Sequence, residues 1–274
     1  MSFKSSQGRS SGKELEVWKS SVTGQGIGGG GGGDAGPGIA AITATGGTIT
    51  TKDASDGKTY KIHTFTTPGP NPFSVSAADP TAIIYLTVAG GGGGGGGYGY
   101  SANGVGGGSG NLTESIVNIS VGSYDINIGN GGSGGYCPYP DNCPAVGGDG
   151  GSTSFTSPSI TITAGGGTGG STGGATDGSA QGGPGGTLTA FTPADDAMIL
   201  SSVGVIAPGV TRNDSGPNNG PGGSLWTPSF NTPYHFIYPR SPVQNKGNGG
   251  SAIQFGGQTG QAGFAQIFYQ IEPS

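Results

Sequence analysis

Eight consecutive glycines at 90–97 leave eight adjacent peptide groups without a Cβ, and this constrains the chain more than any other feature. Glycine loses more conformational freedom on ordering than any other residue, so such a run is either a linker or a place where other backbone approaches closely. The run is not isolated. Glycine supplies 65 of 274 residues, with further tracts at 28–33, 129–135 and 165–186, and proline adds 19. Glycine and proline at this level without a period usually mark a disordered chain. Disordered chains also carry high net charge and few aromatic or β-branched residues. Here only 9 % of residues are charged, and Ile, Val, Phe and Tyr fall in compact runs between the glycine blocks. Those runs have something to bury, so the glycines are expected to pack and hydrogen-bond as well.

The glycines of 165–186 fall in all three frames of a three-residue count. A collagen triple helix, which needs glycine at every third position, is therefore excluded. Left-handed polyproline II-type segments remain open to such tracts. Lying side by side, they would give buried amides the partners those amides require.

The runs between the tracts predict short strands. Residues 59–67 (TYKIHTFTT) alternate Tyr60, Ile62, Thr64 and Thr66 against Lys61, His63, Phe65 and Thr67. Residues 81–89 (TAIIYLTVA) form a continuous apolar strand, predicted to be buried on both faces. Residues 39–51 (IAAITATGGTITT) predict two strands with Gly46-Gly47 as a hairpin turn. Residues 112–129 predict a second pair around Gly122-Ser123, with Ile116, Ile119, Val121, Tyr124, Ile126 and Ile128 at the apolar positions. Short strands are expected at 154–155 and 160–164, and residues 251–255 and 262–271 return to β alternation, the last as a strand that seals the sheet. The predicted fold class is all-β: short strands in a sandwich-like core, glycine-rich polyproline II-type segments, and essentially no helix.

Composition divides the chain into an N-terminal attachment arm (1–36), a β module (37–89), a glycine-rich β/polyproline II domain (90–186), a Pro/aromatic-rich insertion (187–248) and C-terminal closing strands (249–274). In the arm, ELEVWKSSV sets Leu15, Val17 and Lys19 on one face and Glu16, Trp18 and Ser20 on the other. That suits a strand added to a neighbouring protein. Phe3, Leu15, Val17 and Trp18 are its candidate attachment residues.

Charge and motifs exclude several classes of function. Seven of the ten Lys and Arg precede Ile62, and ten of the fifteen acidic residues follow it. A basic groove for nucleic acid is not expected. The opening residues are polar, so no export signal is expected, and the apolar stretch at 82–89 is too short to span a bilayer. GQGIGG at 24–29, GRSSGKE at 8–14 and GGSGG at 131–135 match or approach known motifs, but glycine abundance makes such matches nearly inevitable and no βαβ context surrounds them. Asp34 and Asp149 are read as turn residues, and the Asp195-Asp196 pair lacks the rest of a glycosidase site. No enzyme, no cofactor and no metal site is expected.

Binding residues are sought among aromatics next to glycine, since Tyr and Trp give large contact area with few rotatable bonds. Tyr98 and Tyr100 follow the glycine run, Tyr136 and Tyr139 flank the CPYPDNC segment, and Trp226, Phe230, Tyr234, His235, Phe236 and Tyr238 lie in the Pro-rich stretch. The last group reads three ways: a local core under a long loop, a receptor contact, or an intersubunit contact. Cys137 and Cys143 either clip their loop in an oxidising environment or stand as two free thiols.

The order TYKIHTFTT, TAIIYLTVAGGGGGGGG, SVGSYDINIGNGGSGG and GGDGGSTSFTSPSITITAGGGTGG resembles the glycine-rich domain of bacteriophage tail fibres and tail-tip adhesins. The opening MSFKSSQGRSSGKELEVWK is similar to the starts of small tail proteins of marine phages. The resemblance implies a receptor-binding protein on the virion, made in the host cytoplasm. Its arm would meet other phage tail or fibre proteins, and loops between glycine-rich segments would contact a host outer-membrane protein or surface glycan. A homotrimer is expected, or a single copy capping a trimer. Two alternatives stay open: a capsid decoration or tail-assembly component without receptor contact, and a fibre-borne glycan depolymerase. The stretch 188–248 departs from the family pattern.

Overall fold

The computed structural model describes residues 41–53, 58–98, 103–136, 145–157, 159–173, 179–180, 183–192, 197–204, 210–211, 223, 246–254 and 256–271. Twelve strands of four residues or more run through them: β1 (Ile42–Thr45), β2 (Thr48–Asp53), β3 (Thr59–Phe65), β4 (Gly69–Ala78), β5 (Ile83–Ala89), β6 (Asn111–Asn118), β7 (Gly122–Ile128), β8 (Thr153–Thr156), β9 (Thr161–Ala164), β10 (Leu188–Thr192), β11 (Ala197–Gly204) and β12 (Phe264–Ile271). They form two six-stranded antiparallel sheets. The first has the order β1-β4-β7-β8-β9-β10 and the second β11-β6-β5-β12-β3-β2. Strands preceding the eight-glycine run and strands following it share both sheets. The chain is all-β, and no helix occurs among the described residues.

One apolar core fills the space between the sheets. Ile84, Leu86, Val88, Val117 and Ile267 of the second sheet meet Phe73, Val75, Ile126, Phe155 and Ile162 of the first. In β7 the alternation is strict: Tyr124, Ile126 and Ile128 are buried while Ser123, Asp125 and Asn127 face out. The Tyr124 ring stacks on Phe155 at 5.4 Å.

Two expected turns are corrected. Gly46-Gly47 does not turn a hairpin: β1 joins the first sheet and β2 the second, so the pair carries the chain from one sheet to the other. Both glycines have positive φ, 121° and 61°, and a Cβ on Gly46 would lie 2.5 Å from the carbonyl oxygen of Pro72. Gly122-Ser123 is no turn either, since both residues belong to β7 and the corner between β6 and β7 again changes sheets. The final strand β12 completes the second sheet from its middle, between β5 and β3. The structure also holds a strand that the sequence did not predict. In β4, Pro70 and Pro72 pair with Asn127 and Asp125 of β7, while β1 reaches β4 only from Ser74 onward. The prolines therefore sit where β4 is an edge, where a missing N–H costs no ladder bond.

Beyond one end of the sandwich the strands run into glycine segments without breaking direction. Segments 129–135, 145–152, 165–171 and 183–187 prolong β7, β8, β9 and β10 as one layer. Segments 256–263, 90–97 and 105–110 prolong β12, β5 and β6 as a second. A third layer, 247–252 with Gly223, bonds only to the second. The central segment is 90–97, and its contacts repeat every three residues. Gly90, Gly93 and Gly96 donate N–H bonds to Asn111, Gly108 and Val105; Gly91, Gly94 and Gly97 donate to Gly151, Gly148 and Ala145; Gly92 and Gly95 donate to Gln261 and Gln258. Partner numbers fall as its own rise, so these three neighbours are antiparallel. A Cβ on Gly90, Gly93 or Gly96 would strike Gly165, Thr168 or Ser171; on Gly91 or Gly94, Asn130 or Ser133; on Gly92 or Gly95, Asn248 or Ser251. These three neighbours run parallel. A three-residue period in extended backbone is that of a polyproline II helix. One such helix is thus ringed by six others, and every N–H from Gly90 to Gly97 is bonded, at 2.8–3.0 Å.

Candidate functional site: the tip of the glycine bundle

The molecule has two distinct ends. At the sandwich end, Ala41 is fixed by a bond from its N–H to an Asp79 carboxylate oxygen at 2.8 Å, and its carbonyl accepts from the Asp79 N–H at 3.2 Å. Residues 1–40 join the described chain here. Ile271, paired with Thr59, lies at the same end. The opposite end is the tip of the glycine bundle. With about 3 Å of rise per residue, segment 90–97 carries this tip roughly 22 Å beyond the sheets.

The tip is braced by backbone. Gly97 donates to Ala145 at 2.8 Å and Gly257 donates to Gly135 at 2.6 Å. Ile253–Gln254 pairs in parallel with Gly97–Tyr98, and Thr172–Gly173 pairs with Asn103–Gly104. Two apolar side chains stand on this frame. Tyr136, bridged to Gly256, is 73 % exposed, and Val146 is 66 % exposed. The Tyr136 ring lies 3.8 Å from where a Cβ on Gly256 would be, an ordinary van der Waals contact, so the ring sits beside Gly256 without requiring a glycine there. At the middle of the bundle, the Asp149 carboxylate accepts from the Gly169 N–H at 2.8 Å and joins two neighbouring segments. This corrects its reading as a turn residue.

Of the sequence-stated candidates, Tyr136 is at the tip with an exposed side chain. The backbone of Tyr98 is there too, while its side chain lies outside the described residues. Tyr100 belongs to the connection 99–102, and Cys137, Tyr139 and Cys143 belong to 137–144; both connections depart from this tip and lie outside the described residues. So do Trp226, Phe230, Tyr234, His235, Phe236 and Tyr238, and the arm residues Phe3, Leu15, Val17 and Trp18. Asp34 and the Asp195-Asp196 pair are likewise outside them. Val146 was missed. An apolar residue just before a Gly-Gly pair, with nothing on a glycine frame to cover it, was the available signal.

The most perturbed ionisable groups lie far from the tip, between the sheets. His63 is fully buried, edge-on to Phe73 at 5.2 Å and stacked on Tyr269 at 5.7 Å. Its Nδ1 lies 2.8 Å from the Gly46 carbonyl and its Nε2 3.2 Å from the Tyr269 hydroxyl. A carbonyl only accepts, so Nδ1 carries the proton and neutral Nε2 accepts from Tyr269. Burial holds the His63 pKa below its ordinary value, the Gly46 bond opposing this, and burial pushes Tyr269 up to about 12. This pair anchors the Gly46-Gly47 crossing. Among the described residues no group of three or more His, Cys, Asp or Glu is placed to hold a metal ion. No helix of the described residues is long and apolar enough to cross a membrane.

A family model described as a glycine-rich domain matches residues 66–269. The chain belongs to that glycine-rich domain family. The match begins just before β4 and ends within β12, so it takes in most of the sandwich and the whole glycine bundle. Comparison with curated proteins gave no match.

Proposed function

We propose that this glycine-rich domain protein is a host-attachment component of a bacteriophage tail fibre or tail tip. The arm, residues 1–36, docks on other tail or fibre proteins, and the tip of the bundle meets a host outer-membrane protein or surface glycan. The observation that carries this reading is the polarity of the molecule. The arm enters at one end, and the loops bearing Tyr100 and Tyr139, with the exposed Tyr136, leave from the other. A hydrogen-bonded backbone bundle between the two ends holds Tyr136 and the points from which these connections leave at a fixed distance from Ala41. Rigid presentation lowers the ordering cost of binding, and tyrosines supply contact area at small entropic cost.

Purified protein is expected to block adsorption of its phage to host cells, and Tyr136→Ser is expected to weaken the block while leaving thermal stability unchanged. Particles that lack the protein yet adsorb normally would overturn the reading. Release of reducing sugar from host polysaccharide would replace attachment alone by depolymerase activity. In this role the protein is expected to assemble as a homotrimer on its fibre, which light scattering of the purified protein checks.

A further inference from the structure

The first layer of the glycine bundle turns one position in three outward, and at those positions side chains return. In segment 129–136 the exposed residues are Asn130, Ser133 and Tyr136; in 145–152 they are Val146, Asp149 and Ser152; in 165–171 they are Thr168 and Ser171. All remaining residues from 131 to 135 and from 147 to 151 are glycine. The three-residue period of a polyproline II helix sets this pattern, because one of its three faces looks away from the bundle. The inward side is committed to packing. Cβ atoms on Gly91, Gly94 and Gly93 would strike the carbonyl oxygens of Asn130, Ser133 and Thr168, so those carbonyls point into the bundle.

Hydrogen bonds between the segments put these side chains in register. Gly148 donates to Ser133 and Gly151 to Asn130, which sets Tyr136 beside Val146, Ser133 beside Asp149 and Asn130 beside Ser152. Gly147 donates to Gly170 and Gly150 to Gly167, which sets Ser171 beside Val146 and Thr168 beside Asp149. The exposed side chains thus form rungs spaced three residues apart, about 9 Å along the segments. The rung at the tip carries the apolar surface, with Tyr136 and Val146 both exposed. The next rung is Ser133, Asp149 and Thr168, and the third holds Asn130 and Ser152. Between the rungs of 129–136 and 145–152 the surface is glycine backbone.

We infer that this face binds an uncharged glycan, with one sugar ring against Tyr136 and Val146 and its neighbour's hydroxyls on the rung of Ser133, Asp149 and Thr168. The inference rests on the attachment reading and names the ligand of the same tip. A sugar ring offers an apolar face and hydroxyls that both donate and accept. The Tyr136 ring supplies flat apolar surface at small entropic cost. The Asp149 carboxylate is held by the Gly169 N–H at 2.8 Å, a bond that uses one of its about four acceptor sites. The Thr168 hydroxyl donates to the Pro184 carbonyl at 2.9 Å and can still accept, and Ser133 can do either. Charge selects against an anionic ligand, since segments 129–136, 145–152 and 165–171 hold no Lys or Arg and Asp149 is their one charged residue. Composition selects against a protein. The core of a protein interface is enriched in aromatic, Met and Arg side chains and depleted in Ser and Asp. Here one aromatic and one aliphatic side chain stand among Ser, Thr, Asn and Asp. The backbone beneath is hydrogen-bonded, so the platform is ordered before the ligand arrives.

The full-length protein on an array of uncharged and acidic bacterial oligosaccharides tests the inference, followed by calorimetric titration with the uncharged oligosaccharide it binds best. Tyr136→Ala and Asp149→Asn should each weaken that binding about tenfold or more. Gln258→Ala, an exposed change on the second layer, should leave it as it is. Asparagine at 149 can still accept from Gly169, so that variant is expected to melt with the parent protein. Failure to bind any uncharged oligosaccharide, a preference for acidic ones, or binding indifferent to both substitutions in variants that melt with the parent would overturn the inference. Adsorption assays separate its failure from that of the attachment reading. If the protein blocks adsorption equally well on cells whose surface glycans periodate has destroyed, the attachment reading stands and the glycan does not. If it binds an uncharged oligosaccharide through Tyr136 and Asp149, yet particles lacking it adsorb normally, the glycan site stands and the attachment reading does not.

Discussion

Replacing Gly94 by alanine tests the physical basis of the bundle. Gly94 is at the middle of the central segment, and a Cβ there would come within 3.0 Å of the carbonyl groups of Ser133 and Gly132. These are backbone atoms, so no rotamer change relieves the clash, and the segment 129–135 must move away. That movement breaks the bonds from Gly132 to Gly92 (2.8 Å) and from Gly135 to Gly95 (2.9 Å). Breaking a buried backbone bond costs about 1–3 kcal/mol when one of its two groups finds no new partner, which puts the loss at about 2–6 kcal/mol for two bonds. Alanine also restricts the unfolded chain and recovers about 0.4–1 kcal/mol, too little to change the sign. The net loss is then about 1–5 kcal/mol, and at roughly 2–4 °C per kcal/mol for a domain of this size the melting temperature should fall by roughly 2–20 °C. Gly256→Ala is the control, since its Cβ would meet only the Tyr136 ring at 3.8 Å and the Gly135 oxygen at 3.9 Å. Thermal and urea unfolding followed by circular dichroism measures both. If Gly94→Ala and Gly256→Ala melt together, the glycines are not there to admit neighbouring backbone, and the reasoning fails.

Other perturbations follow from the same structure. His63 is held below its ordinary value of 6.5 in the folded state, so the unfolded chain binds more protons as pH falls below that value. Stability is therefore complete above 6.5 and declines as pH drops from there toward the lowered folded value; urea midpoints measured before the carboxylates titrate should show this slope, and His63→Phe should remove it. Asp149→Ala removes the acceptor of the Gly169 N–H at an exposed site and should cost about 1 kcal/mol in the same unfolding assay. Gln266 is fully buried, its Nε2 bonded to Thr64 at 3.1 Å and its Oε1 without a partner. Removing both partners by Gln266→Met with Thr64→Val should leave stability unchanged or raise it, whereas Thr64→Val alone should lower it by about 1–3 kcal/mol. Phe155→Ala, which empties a fully buried site between the sheets, should cost about 3–5 kcal/mol.

Much of the fold was legible because each local pattern had one physical reading. Alternation in β7 put Tyr124, Ile126 and Ile128 on one face, and a strand buried on one side needs that period. The apolar run of β5 belongs to the middle of a sheet, with Ile84, Leu86 and Val88 buried on the core face and Ile83 and Tyr85 half-buried on the other. Eight glycines in a row, among strands with a core to bury, announced backbone packed on backbone. At the candidate site, Tyr136 was legible because an aromatic side chain on a glycine frame has little to hide under.

Tertiary structure decided the rest, where local chemistry is degenerate. Gly46-Gly47 with positive φ suits a hairpin and a crossing between sheets equally well. The choice follows from which faces must meet, and His63, reaching Gly46 and Tyr269 at once, holds the crossing. Pro70 and Pro72 argue against a strand until one knows where β1 stops. Tyr60, Ile62 and Phe268 are covered on the side away from the main core, and strand alternation does not say whether an outward face meets water or another layer. The sequence alone determined that side chains are absent where backbones must come together, since only glycine permits that approach. Which backbones come together, and in what order around 90–97, was settled by sheets pairing residues as far apart as Thr59 and Ile271, a relation that no local pattern encodes.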